Sequence, residues 1–260
     1  MDLASFSIER LEAFILILSR TAGIFAITPL FGSNQVPLQI RIAMAVGLAI
    51  VFVPLYRLNG VLASDALQMA LLIGKETLVG LVIGFVATLV LTTVQIAGEF
   101  VDMQSGFSFA SMVDPVNGTH TAVVARLHYL IAGLLFFVTN AHHVMIQGLA
   151  DSFSLVPIGQ LVINSAVANG VMDLFVHLFM VAIRIAMPVL SAVFLADISL
   201  ALIARAVPQM NVLIVGFPLK IGVGLVGILV ALPVIMASAQ GLFGDIYSQT
   251  GSILRLFVGQ

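Results

Sequence analysis

Long apolar runs, broken by glycine, proline or short polar clusters, organise this chain. A bilayer's hydrocarbon core takes about 20 apolar residues per helix, and six stretches approach or exceed that length. The first, Ala13 to Phe31, contains Arg20; the second, Ile42 to Tyr56, is short and ends beside Pro54. The third, Thr77 to Ala97, is uncharged and directly follows Lys75 and Glu76. The fourth, Leu127 to Leu149, includes His128, His142 and His143. The fifth, Leu174 to Val207, holds Arg184, Pro188, Asp197 and Arg205; the sixth, Val212 to Phe243, holds Pro218, Lys220 and Pro233. The pattern predicts an all-α, membrane-associated fold of about six long apolar helices.

Two long acidic connections, Gly98 to Thr121 and Ala150 to Asp173, separate these stretches. The other joints, such as Gly32 to Pro37 and Pro208 to Asn211, carry the glycine and proline of tight turns, so antiparallel helical hairpins are expected.

Composition excludes a water-soluble fold. Hydrophobic residues make up 61% of the 260 and charged residues 8%, with a mean hydropathy of +1.19. Soluble domains carry roughly a quarter charged residues, and the few present here cannot cover a surface that meets water. A net charge of −2 without a basic cluster offers no electrostatic footprint for nucleic acid or for an anionic membrane surface. The absence of cysteine removes disulfides, thiolate metal sites and cysteine nucleophiles. Asp2, Glu9 and Glu12 stand against Arg10 where a secretory signal needs a positive region, so no cleaved signal peptide is expected.

The charges that do occur are oddly placed. Arg20, Lys75, Arg184, Arg205 and Lys220 lie inside or against apolar runs, so the positive-inside rule yields no orientation. A charge at a helix centre costs roughly 2.5–3.5 kcal/mol on insertion scales, and these residues therefore require protein partners or water. Lys75 with Glu76, and Asp197 with Arg205, read in two ways: as groups paired within or between subunits, or as an ion path in a secondary transporter or channel. No clear internal repeat supports the transporter reading. Gly80 and Gly84 form a GxxxG pair, and Gly224, Gly227 and Ala231 share a helical face, which permits close backbone approach within the chain or to another subunit.

The most unusual segment is Gln95-Ile-Ala-Gly98-Glu99-Phe-Val-Asp102-Met-Gln104-Ser-Gly106-Phe107-Ser-Phe109-Ala-Ser-Met112-Val113-Asp114-Pro115. Gln95, Glu99 and Asp102 would form a polar stripe on a continued helix. The stretch that follows is punctuated by glycine yet rich in apolar side chains, and it is expected either to fold back onto the helices or to close a pore by dewetting. Gly106-Phe107-Ser108-Phe109-Ala110 imitates the GxSxG nucleophile elbow only in part: the second glycine is missing and no strand precedes it. His142 and His143 are adjacent and would diverge by about 100° on a helix, unlike the i, i+4 pair of a metal site. No catalytic residue, metal site or cofactor is expected.

The quoted segment, together with Pro188-Val-Leu-Ser-Ala-Val-Phe-Leu-Ala-Asp197, Arg205-Ala-Val-Pro208-Gln209-Met210-Asn211-Val212 and Gly216-Phe217-Pro218-Leu219-Lys220, resembles the FliR/SctT family of type III secretion export-gate proteins. The likeness covers essentially the whole chain, and the GFSFASMVDP wording is closer to the flagellar branch. It implies a non-enzymatic subunit of the flagellar export gate in the bacterial inner membrane and basal body. Its implied partners are FliP, FliQ, FlhB, membrane lipid and the unfolded export substrates. Residues 1–173, with a plug loop at 104–118, would be FliP-like, and residues 174–260 a FliQ-like helical hairpin and tail. Gly106, Phe107, Phe109, Met112, Val113, Asp114 and Pro115 would form the pore plug, with Glu99, Asp102 and Gln104 as its polar hinge. Arg184, Asp197, Arg205 and Lys220 would be buried or intersubunit charges.

Overall fold

A computed structural model describes residues 3–28, 36–56, 63, 65–107, 122–162, 165–209 and 211–258. Regular structure among these residues is helical throughout: α1 (Leu3–Ile27), α2 (Leu38–Phe52), α3 (Ala66–Ser105), α4 (Val123–Val138), α5 (Ala141–Leu155), α6 (Ser165–Ala206) and α7 (Val212–Leu256).

The expectation of six long helices needs correction. Among the described residues α3, α6 and Ile214–Leu256 of α7 are long and apolar enough to cross a membrane. The bent pair of α4 and α5 makes a fourth if it counts as one span. The single helix expected over Leu127–Leu149 is broken at Asn140, whose φ of 57° is left-handed, and the chain turns by 68°. Asparagine tolerates this conformation better than most residues. α2 is only 15 residues long, and α1 carries Glu9, Arg10, Glu12 and Arg20.

Two expected connections are also shorter than their composition suggests. No proline interrupts Ala66–Ser105, so α3 absorbs Lys75 and Glu76 at its front and Gly98–Ser105 at its end. It stops where Gly106 turns to φ +83°, the left-handed position that commonly follows a helix. Residues 150–155 and 165–173 are helical as well, at the end of α5 and the start of α6. Pro188, Pro218 and Pro233 lie within α6 and α7. Each removes one backbone hydrogen bond, a loss that neighbouring helices offset in apolar bundles.

The chain divides into two compact units. Residues 1–89, 140–174 and 244–260 form the first, and 90–139 and 175–243 the second. In the first, α1 and α3 cross on glycine. A Cβ at Gly80 would overlap the Arg20 carbonyl oxygen, one at Gly84 would lie 2.8 Å from that of Ile24, and one at Gly23 would lie 2.7 Å from that of Thr77. The GxxxG pair thus packs within the chain. A Gly84→Ala change should cost about 1–3 kcal/mol, read as a lower thermal midpoint of the detergent-purified chain; an unchanged midpoint would mean the helices separate freely.

In the second unit, Gly98 lets α3 approach α4, since a Cβ there would be 2.5 Å from the Ala125 Cα. Gly227 seats α7 against Val189 of α6, with a Cβ-to-side-chain distance of 3.2 Å. Phe136 meets Phe243 edge-on at 5.7 Å, and Phe100 meets Phe179 at 5.8 Å.

Candidate functional site

The end of α3 organises the polar contacts of the second unit. Asp102, 1% exposed, accepts the backbone N–H groups of Val124 at 3.0 Å and Ala125 at 2.8 Å, one on each carboxylate oxygen. These amides belong to the first turn of α4, where N–H groups lack an intrahelical acceptor. The preceding Ala122 has no side chain to supply one. The carboxylate therefore caps a helix more than twenty residues downstream, and the positive helix end favours its charge. Capping in this way holds the start of α4 beside the end of α3, so the two ends of the intervening segment are brought together.

Two residues on, Gln104 Nε2 donates to Asp197 Oδ2 at 3.0 Å, while Lys220 Nζ lies 3.0 Å from Asp197 Oδ1. Asp197 thus joins α3, α6 and α7 in one polar chain. Gly106 faces Phe217, whose ring would lie 3.1 Å from a Cβ, and Gly224 would place its own Cβ 2.6 Å from Ser105 Oγ and 3.8 Å from the Phe107 ring.

The three residues assigned to a polar hinge have separate surroundings: Asp102 is buried on α4, Gln104 holds Asp197, and Glu99 is exposed and accepts from Gln95 Nε2 at 3.2 Å. Of the plug residues, Gly106 and Phe107 are described, whereas Phe109, Met112, Val113, Asp114 and Pro115 lie outside the described residues. The four charges also part company. Asp197 and Lys220 pair while remaining partly exposed, and Arg184 and Arg205 are exposed on this chain.

The buried ion pair is elsewhere. In the first unit Arg20, 0% exposed, donates from Nε to Glu76 Oε2 at 2.7 Å, from one terminal nitrogen to Ser152 Oγ at 3.1 Å and from the other to the Val156 carbonyl at 2.9 Å. The guanidinium lies 4.3 Å from the centre of the Phe153 ring. Glu76 Oε1 accepts the Gly159 N–H at 2.8 Å, and Lys75 Nζ reaches the Gly159 carbonyl at 3.3 Å. Every face of the pair is met, as a buried ion pair requires. Both residues stand out in the sequence, but their pairing does not. The available signal was spacing: Gly23 follows Arg20, and Gly80 follows Glu76, at the offsets that let two helices touch beside the charges.

His142 and His143 do not diverge as expected from a regular helix. Their rings lie 4.2 Å apart, tilted by 36°, in the first turn of α5. His128 is 1% exposed and packs against Gly98; Ser108 lies outside the described residues.

Residues 11–246 match the model of bacterial export proteins, family 1. The chain is 36% identical over 252 residues to the flagellar biosynthetic protein FliR of Bacillus subtilis, covering 96% of this chain and 97% of that protein. It is 27% identical over 237 residues to FliR of Escherichia coli, with 91% and 90% covered. It is 31% identical over 215 residues to Yop proteins translocation protein T of Yersinia pestis, with 81% and 82% covered. With a helical, membrane-length architecture and a match spanning nearly all of its length, the chain belongs to bacterial export protein family 1, the family of FliR and its translocation relatives.

Proposed function

We propose that this protein is a subunit of the flagellar type III export gate, forming part of the channel wall and a plug that seals the pore to unfolded substrates until they pass. The observation that carries the reading is the Asp102 cap, which ties the end of α3 to the start of α4 and so closes the base of the segment between them. A seal must yield at its tip without unseating the wall that holds it. An apolar loop on a buried, charge-assisted anchor meets both demands. Gly106, Phe107, Phe109, Met112, Val113, Asp114 and Pro115 make up the plug in this reading, and Gln104 adds a second tie through Asp197 and Lys220.

Uncovered apolar surface supports assembly. Only 22% of the apolar window of α7 and 33% of that of α6 is buried within the chain. Lipid and partner subunits, FliP and FliQ with FlhB in contact, cover the rest in the cell membrane at the flagellar basal body. Arg184 and Arg205 then meet acceptors on those partners. Residues 1–173 take the FliP-like role, and residues 174–260 the FliQ-like one. Energy comes from other components, since the chain carries no phosphate-binding loop.

Deleting residues 106–117 tests the plug. The anchored helix ends allow the shortened loop to close, and cells or vesicles carrying the assembled gate should become permeable to small solutes. Unchanged permeability, with the gate still assembled, would reject the sealing role.

A further inference from the structure

α6 packs one side into the chain and leaves the other bare. Leu178, Ala182, Ile185, Val189, Val193 and Leu200 are buried. Away from that stripe, alternating steps of three and four residues from His177 to Arg205 land on an exposed residue every time. One set of these positions holds Met180, Met187, Phe194 and Ala201, and the other holds His177, Arg184, Ser191, Ile198 and Arg205. Such an alternation is the heptad spacing, at which two helices wound left-handedly around each other keep the same faces together. Beside this seam Pro188 and Ala192 border an apolar hollow of about 600 Å³, closed on the far side by Pro218, Gly222 and Val226 of α7.

Neither water nor lipid suits the seam. Water leaves Met180, Met187 and Phe194 uncovered, each more than half exposed. Lipid leaves Arg184, near the middle of a 42-residue helix, without an acceptor. Arg184 and Arg205 have no hydrogen bond or ion pair among the described residues. They occupy the same heptad position three repeats apart, about 32 Å along the helix. Polar side chains at such positions fix the register of a partner helix.

We propose that this seam docks an apolar helix of a different gate subunit, one that carries carboxylates opposite Arg184 and Arg205. Met180, Met187 and Phe194 give it adaptable packing, and each guanidinium offers a carboxylate a fork of donors. A second copy of this chain is a poor occupant, since the seam from His177 to Arg205 presents cations and no carboxylate in return. The inference rests on the export-gate reading for the existence of a partner and adds that partner's chemistry and register.

The chain has no cysteine, so single cysteines report without background. Met180→Cys, Met187→Cys, Phe194→Cys and Ala201→Cys probe the seam, while Ser199→Cys and Ile203→Cys probe exposed positions off it. Maleimide labelling is compared between the detergent-purified chain and the gate isolated through a tag on that chain. The seam positions should lose most of their labelling on assembly, and the other two should keep theirs. Arg184→Met should reduce recovery of the partner subunit roughly tenfold or more, Arg184→Glu should abolish it and Arg184→Lys should retain most of it. Thermal midpoints of the isolated variants control for folding, because Arg184 is exposed on this chain. Protection spread evenly over all six positions, protection at none, or recovery indifferent to Arg184→Glu would overturn the proposal. So would a disulfide-linked dimer of the Met187→Cys chain, which would put a second copy on this face. If the unaltered chain brings down no gate subunit at all, the export-gate reading falls first and the seam with it.

Discussion

A Glu76→Ala chain is expected to lose about 3–5 kcal/mol of stability, because the change leaves a buried guanidinium without its counter-charge. Arg20 is 0% exposed, and its Nε contact to Glu76 is 2.7 Å. Ser152 and the Val156 carbonyl would still accept from the terminal nitrogens, but neither carries a charge. The Gly159 N–H would lose its acceptor as well. Glu76→Gln preserves shape and one acceptor and should fall between alanine and wild type. Arg20→Met combined with Glu76→Leu should recover most of the loss, because an apolar pair of similar volume often replaces a buried ion pair at little cost. Thermal unfolding of the four detergent-purified chains reads the order directly. If the double variant is no more stable than Glu76→Ala, then the hydrogen bonds from Arg20 to Ser152 and Val156 matter more than the pairing of charges.

Asp102→Ala should destabilise the start of α4 by about 2–3 kcal/mol, since two buried N–H groups lose their acceptor together. The effect is local. Hydrogen exchange at the Val124 and Ala125 amides should accelerate, while amides around Arg20 keep their protection. Asp102→Asn offers one carbonyl oxygen in place of two and should give an intermediate rate. If the proposed plug reading holds, Asp102→Ala in the assembled gate should also raise solute leakage, because the anchor of the proposed seal is damaged. Normal leakage together with fast exchange would separate the cap from the gating function.

The long apolar runs were legible because lipid-compatible helices need length and hydrophobicity, both of which are properties of contiguous residues. The boundaries were not. Gly98–Ser105 has the glycine and charges of a loop, yet it extends α3, because Asp102 and Gln104 find partners on α4 and α6 that no local pattern reveals. Asn140 breaks the fourth stretch through a backbone conformation that many asparagines never adopt. The family could be recognised from Gly98 to Pro115 and from the segments around Asp197 and Lys220, since those carry distinctive words in order.

By itself, then, the sequence determined that this is a helical membrane protein of the bacterial export family, and that charges lie among its apolar residues. Only the tertiary structure decided what those charges meet: Arg20 is sealed against Glu76, Lys220 holds Asp197, and Asp102 caps α4. The reason is physical. Hydrophobicity and helical period act between neighbours along the chain, whereas a buried charge is satisfied by groups tens of residues away, brought within 3 Å only when the helices pack.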